Sequence, residues 1–135
     1  MKIKFKSTIF QNDNENQIEF TAPVEVVNDG EFEILSFNEP SKNVANRIEI
    51  SQQRINIFAG PTTIYLILDK NQTALNLFEL MTPEGVGREL EFYTQVIDYK
   101  FENLKEYFFE YELFQKVNND KLVMGNFKIT LTIEN

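Results

Sequence analysis

Neither cysteine nor histidine occurs among the 135 residues. Without cysteine there is no disulfide, no thiolate nucleophile, no iron–sulfur cluster and no thiolate-bound zinc. Without histidine the commonest general base and metal ligand are missing, and the serines Ser7, Ser36, Ser41 and Ser51 have no imidazole to activate them. Basic residues are outnumbered, 13 Lys and Arg against 21 Asp and Glu, for a net charge of −8. That balance argues against nucleic acid and against anionic membrane surfaces, both of which need a Lys/Arg face. Long apolar runs are also absent. The longest is the five residues Ile64 to Leu68, far short of the ~20 that span a bilayer. The N-terminal residues alternate and form no signal-peptide core, so the expected location is the cytoplasm. No repeat, linker or low-complexity tract divides the chain, and residues 1–135 are expected to form one domain.

What is present is alternation. KIKFKSTIF puts Ile3, Phe5 and Ile9 on one face and Lys2, Lys4 and Lys6 on the other. QIEFTAPVEV repeats the pattern with Ile18, Phe20, Val24 and Val26, and FKITLTIE with Phe127, Ile129, Leu131 and Ile133. Successive side chains of a strand point to opposite sides, so period-2 alternation predicts strands with one buried and one wet face. Turn signals separate them: NDNEN at 12–16, Asn28-Asp29-Gly30, Pro40 to Asn46, Gln52-Gln53, Gly60-Pro61, Asp69 to Gln72, Pro83 to Gly87, Glu102-Asn103 and Asn118 to Asp120. The apolar phase breaks twice, once between Val96 and Ile97 and once across Gly125. One extra residue flips the face of a strand, so a β-bulge is expected at each break. Residues 101–117 fit two patterns, a helix through Phe101, Leu104, Phe108, Tyr111 and Phe114 or a strand through Tyr107, Phe109, Tyr111 and Leu113; aromatic enrichment favours the strand. Phe, Tyr, Ile, Asn and Lys, all with AT-rich codons, are abundant, which points to an AT-rich bacterial genome.

Several of these segments occur together in a known family. TPEG near the middle, Thr94, Tyr99, the pair Tyr111 and Leu113, the opening MKIKF, QIEFTAP, SFNE, IFAGP and the closing FKITLTI resemble the YwiB-like family of bacterial domains of unknown function. The resemblance spans nearly the whole chain and implies a calycin-type, lipocalin-like β-barrel. Phe37 stands where the family favours tyrosine, and Phe58 where it often has arginine, so two polar groups of the family are missing. The expected fold is therefore all-β, a single antiparallel up-and-down barrel of about eight to ten strands.

No motif carries convincing chemistry. Glu106, Glu110 and Glu112 share a wet strand face, and Asp98 beside Tyr99 has only its place just after an expected bulge to suggest catalysis. Asp13 and Glu15 lack the glycine and distant glutamate of a calcium loop. Gly85-Val86-Gly87-Arg88 lacks the third glycine and the helix of a dinucleotide fingerprint. No enzyme activity, metal or cofactor is expected. The positive reading is a non-enzymatic bacterial protein that holds a small apolar or amphipathic ligand in the barrel. Its lining candidates, taken from positions matching the family motifs, are Phe37, Glu39, Thr94, Tyr99 and Tyr111. The alternative is a barrel filled by its own Phe and Tyr side chains, acting as a protein-interaction or homodimerising module through outward Phe10, Val27, Phe108 and Phe114.

Overall fold

Each alternating segment forms a strand. The computed structural model describes residues 1–135 apart from Thr82, Val86 and Leu104, with the side chains of all the rest except Glu79, Leu80, Met81 and Arg88. In chain order the strands are β1 (Lys2–Gln11), β2 (Asn14–Pro23), β3 (Glu25–Asp29), β4 (Phe32–Glu39), β5 (Val44–Ile50) and β6 (Arg54–Ala59). They continue with β7 (Thr62–Ile67), β8 (Ala74–Met81), β9 (Gly87–Glu102), β10 (Glu106–Val117) and β11 (Asp120–Glu134). Residues 106–117 are strand, so the helical reading of that stretch falls. No helix among the described residues is long and apolar enough to cross a membrane.

The turns follow from residues that tolerate positive φ. Asn12-Asp13 and Asn118-Asn119 have positive φ at both central positions, and each closes a two-residue hairpin. Gly30, with φ +62°, opens the β3–β4 turn.

Strand order departs from the expected single closed barrel. Six antiparallel strands form one sheet in the order β2-β1-β11-β10-β9-β8, and five form a second in the order β3-β4-β5-β6-β7. Neighbours run up and down in sequence, and β1 pairs with β11 to join the two ends of the chain. Closure fails at two seams. At the first, only Val24 separates β2 from β3, and the chain changes sheets there with its amide bonded to the Met1 carbonyl at 3.1 Å. The adjoining Pro23 has no N–H to extend a ladder. At the second, β7 and β8 share no backbone ladder and are joined through side chains.

Both bulges lie at the phase breaks. Opposite β10 the register skips Ile97, so Val96 is buried and Ile97 exposed. Opposite Leu113 and Phe114 it skips Met124. Gly125 adjoins the second bulge without a side chain, and a Cβ there would lie 3.0 Å from Gln11 Cγ and 3.1 Å from Phe127 Cε2.

Apolar side chains pack between the sheets. Ile3, Leu35, Ile48, Ile55, Leu66, Val96, Phe109 and Leu131 are fully buried. At the first seam Phe5 stacks on Phe20 at 4.9 Å, and Phe37 lies 6.1 and 6.0 Å from them, so three rings from β1, β2 and β4 close the corner. Phe114 is on the outer face as its parity requires. It is nevertheless buried, stacked on Tyr93 at 5.7 Å with the Lys121 ammonium 4.6 Å from its ring. Phe10 and Val27 are exposed, and Phe108 is half-buried.

Candidate functional site

The five residues chosen from the sequence do not converge. Phe37 belongs to the aromatic corner. Glu39 fastens the β4–β5 turn: it accepts hydrogen bonds from the Ser41 hydroxyl (2.6 Å) and amide (3.0 Å) and from the Lys42 amide (2.7 Å). Thr94 is buried at the second seam, donating to the Tyr65 carbonyl at 2.6 Å and accepting from Asn76 Nδ2 at 3.3 Å. Tyr111 is buried and stacked face to face on Phe127 at 4.9 Å, and burial pushes its hydroxyl far above the usual phenol range. Tyr99 lies on the inner face of β9 past the end of β8, 36% exposed, against Phe101 at 5.6 Å.

The bonds to Glu39 have a pH consequence. Those from Ser41, chiefly its hydroxyl, hold the Glu39 carboxyl below its ordinary value of 4.5. A carboxyl depressed in the folded state stabilises it above the unfolded value, and the stabilisation is lost as pH falls through the folded value. Thermal melts of wild type and Glu39→Gln should therefore differ by a constant amount at neutral pH, and the difference should shrink below pH 4.5. A difference independent of pH would contradict this role.

Phe101 leads from Tyr99 to a hollow that the sequence did not reveal. Three turns meet there, β3–β4, β5–β6 and β9–β10, around a space of about 350 Å³. Ile50, Phe101 and the ring of Tyr107 supply apolar walls, while Glu31 and Glu33 supply carboxylates. The turns are braced. Ser51 Oγ accepts from the amides of Gln53 (3.2 Å) and Arg54 (3.0 Å). The Lys105 amide donates to the Glu102 carbonyl at 3.0 Å, and the Ile133 amide ties the Lys105 carbonyl to β11 at 2.7 Å.

Tyr107 is the distinctive group. It is 1% exposed and meets Phe101 edge-on at 5.4 Å. Its hydroxyl is buried and has no hydrogen-bond partner among the described residues. Burial, with a smaller contribution from the Glu33 carboxylate, pushes its pKa up to about 12, so it stays a neutral donor and acceptor. Buried hydroxyls normally find partners, since an unmade bond costs ~1–3 kcal/mol. The signal in the sequence was a tyrosine at an inward strand position beside a turn.

A second, larger hollow of about 500 Å³ is more open and lies by Pro23, Ser36, Phe37, Arg47, Phe58 and Gly60. Phe37 and Phe58 both line it. Arg47, the one cation among the described residues that line it, is already paired with Glu49 at 2.6 Å. The glycine-containing segment Gly85-Val86-Gly87-Arg88 includes Val86 and the Arg88 side chain, which lie outside the described residues. Among the described residues, no group of three or more acidic side chains is placed to hold a metal ion.

The molecule is thus a two-sheet, all-β antiparallel domain with hollows at its surface. Residues 3–131 match the family model described as a domain of unknown function (DUF1934). The chain belongs to this family of YwiB-like domains. It is 33% identical over 134 residues to an uncharacterized protein of Mycoplasmopsis pulmonis, an alignment covering 98% of each chain. Its fold is similar to that of the ywiB protein from Bacillus subtilis in a crystal structure, with a TM-score of 0.62 and 15% identity over 99% of this chain and 91% of that one.

Proposed function

We propose that the protein is a non-enzymatic binding protein, cytoplasmic, whose small amphipathic ligand occupies the three-turn hollow. The strands run up and down in two sheets that part at two seams, and buried apolar side chains pack between them. The ligand position consequently moves from the interior to the end of the sheets. The observation that carries this reading is the buried Tyr107 hydroxyl, which has no hydrogen-bond partner among the described residues. A group left unsatisfied in the free protein gains its missing bond when a ligand arrives.

Tyr107→Phe tests it. Removing the hydroxyl should leave the free protein as stable as wild type or more stable, by up to ~1 kcal/mol, because no bond is lost and a desolvation cost disappears. The variant should also carry less co-purified small molecule when native and denaturing mass spectra of one sample are compared. A variant destabilised by ~1 kcal/mol or more would show that the hydroxyl has an internal partner and would remove the basis of the reading.

A second reading, docking of another copy of the chain, is favoured by one cross-strand row. Leu75, Tyr93, Phe114 and Val123 are successive register partners on β8 to β11, and Leu75 and Val123 are about half exposed. Lys116 and Lys121 cover the centre of the row. The subunit count in the native spectrum tests this reading.

A further inference from the structure

The charges around the hollow narrow its ligand. Two carboxylates, Glu31 and Glu33, line it, and none of the described residues that line it is a lysine or arginine. Glu33 is half-buried, so its charge is less screened than that of a free surface carboxylate. The net charge of −8 further favours the approach of cations over anions. Phe101, Tyr107 and the buried Ile50 also line it. The Tyr107 hydroxyl, buried beside it, has no hydrogen-bond partner among the described residues.

We propose that the hollow binds a small protonated amine with an apolar body. This rests on the reading of the hollow as the ligand site and specifies what enters it. An ammonium group has three N–H donors, which the Glu33 carboxylate and the Tyr107 oxygen can accept. Aromatic faces attract the same cation, and the apolar body covers Ile50 and Phe101. An anion would meet two like charges. A neutral alcohol would satisfy Tyr107 and leave the carboxylates without a counter-charge. A volume of about 350 Å³ is at the lower end of ligand pockets, which sets the size at that of a single ring with a short arm.

The test uses the full chain and three probes with one body and three heads: 2-phenylethylamine, 2-phenylethanol and 3-phenylpropionate. Affinities are measured by calorimetry at pH 7 and low salt, and the site is located by the NMR shift of the Ile50 methyl. The amine should bind about tenfold or more tightly than the alcohol, the difference expected for hydrogen bonds to a charged group, and the acid should bind weakest. Glu33→Gln should lower amine affinity by about tenfold and leave alcohol affinity unchanged. Equal binding of all three probes with the Ile50 methyl shifted would overturn the amine and preserve the site. Absence of any Ile50 shift would overturn the amine as well, and the Tyr107→Phe comparison would then judge the site independently. An amine affinity indifferent to Glu33→Gln would also overturn it.

Discussion

Replacing Asn76 with alanine is expected to destabilise the fold by about 3 kcal/mol, a fall in Tm on the order of 10 °C. Asn76 is 1% exposed and sits on β8 at the seam where the two sheets share no backbone ladder. Its side-chain amide takes the place of that ladder. Oδ1 accepts from the Tyr65 amide at 2.6 Å, and Nδ2 donates to the Tyr65 carbonyl, the Ala74 carbonyl and Thr94 Oγ1, each at 3.3 Å. Alanine would leave the Tyr65 amide unpaired next to the core. An unsatisfied buried group costs ~1–3 kcal/mol, and the seam would lose several bonds together. Asn76→Asp should be no better, because it keeps the acceptor but buries a charge and removes the donor. Chemical denaturation of both variants, with the exposed Asn71→Ala as control, measures the effect. A loss below ~1 kcal/mol for Asn76→Ala would mean that the seam is held otherwise.

Phe109→Ala is expected to cost more, about 4 kcal/mol and roughly 15 °C in Tm. Phe109 is 0% exposed at the middle of β10, between Tyr99 on β9 and Ile129 on β11, with its ring 6.5 Å from that of Tyr111. In a filled core the removed ring leaves a cavity that rigid neighbours cannot close, so the transfer and cavity costs add. In a hollow barrel the same ring would face a lumen, and its loss would be mild. Phe108→Ala, one residue earlier on the outer and half-buried face, should cost ~1 kcal/mol and isolates the burial effect. Urea unfolding of the pair reads the difference. Equal losses would contradict a filled core.

Local features were legible from the residues because their causes are local. Alternation located the strands, the turn signals at 12–16, Asn28-Asp29-Gly30 and Asn118 to Asp120 marked three of the turns, and the shifted parity at Ile97 and Gly125 both bulges. The division into two sheets was less legible, since it depends on whether distant strands complete a ladder. Pro23 was the sign at one seam, and at the other the sign was a polar residue, Asn76, in an otherwise apolar inward row. The candidate site was least legible. Its walls come from turns near residues 31, 52 and 103, far apart in sequence and joined only by the topology. Among the family-matched positions, Phe37 fills a corner, Glu39 fastens a turn and Thr94 stitches a seam. Only Tyr99 leads toward the hollow. Resemblance of motifs therefore marked pieces of the scaffold.

The most direct test of the central claim, that a ligand completes Tyr107, is the NMR spectrum of the protein with ¹³C-labelled tyrosine rings and isoleucine methyls. The low-molecular-weight fraction of a bacterial extract is added to it. The Tyr107 ring and the Ile50 methyl are expected to shift together while Tyr65 and Tyr111 stay in place. Shifts at Tyr111 or Tyr65 with Tyr107 unmoved would put the ligand elsewhere and contradict the account.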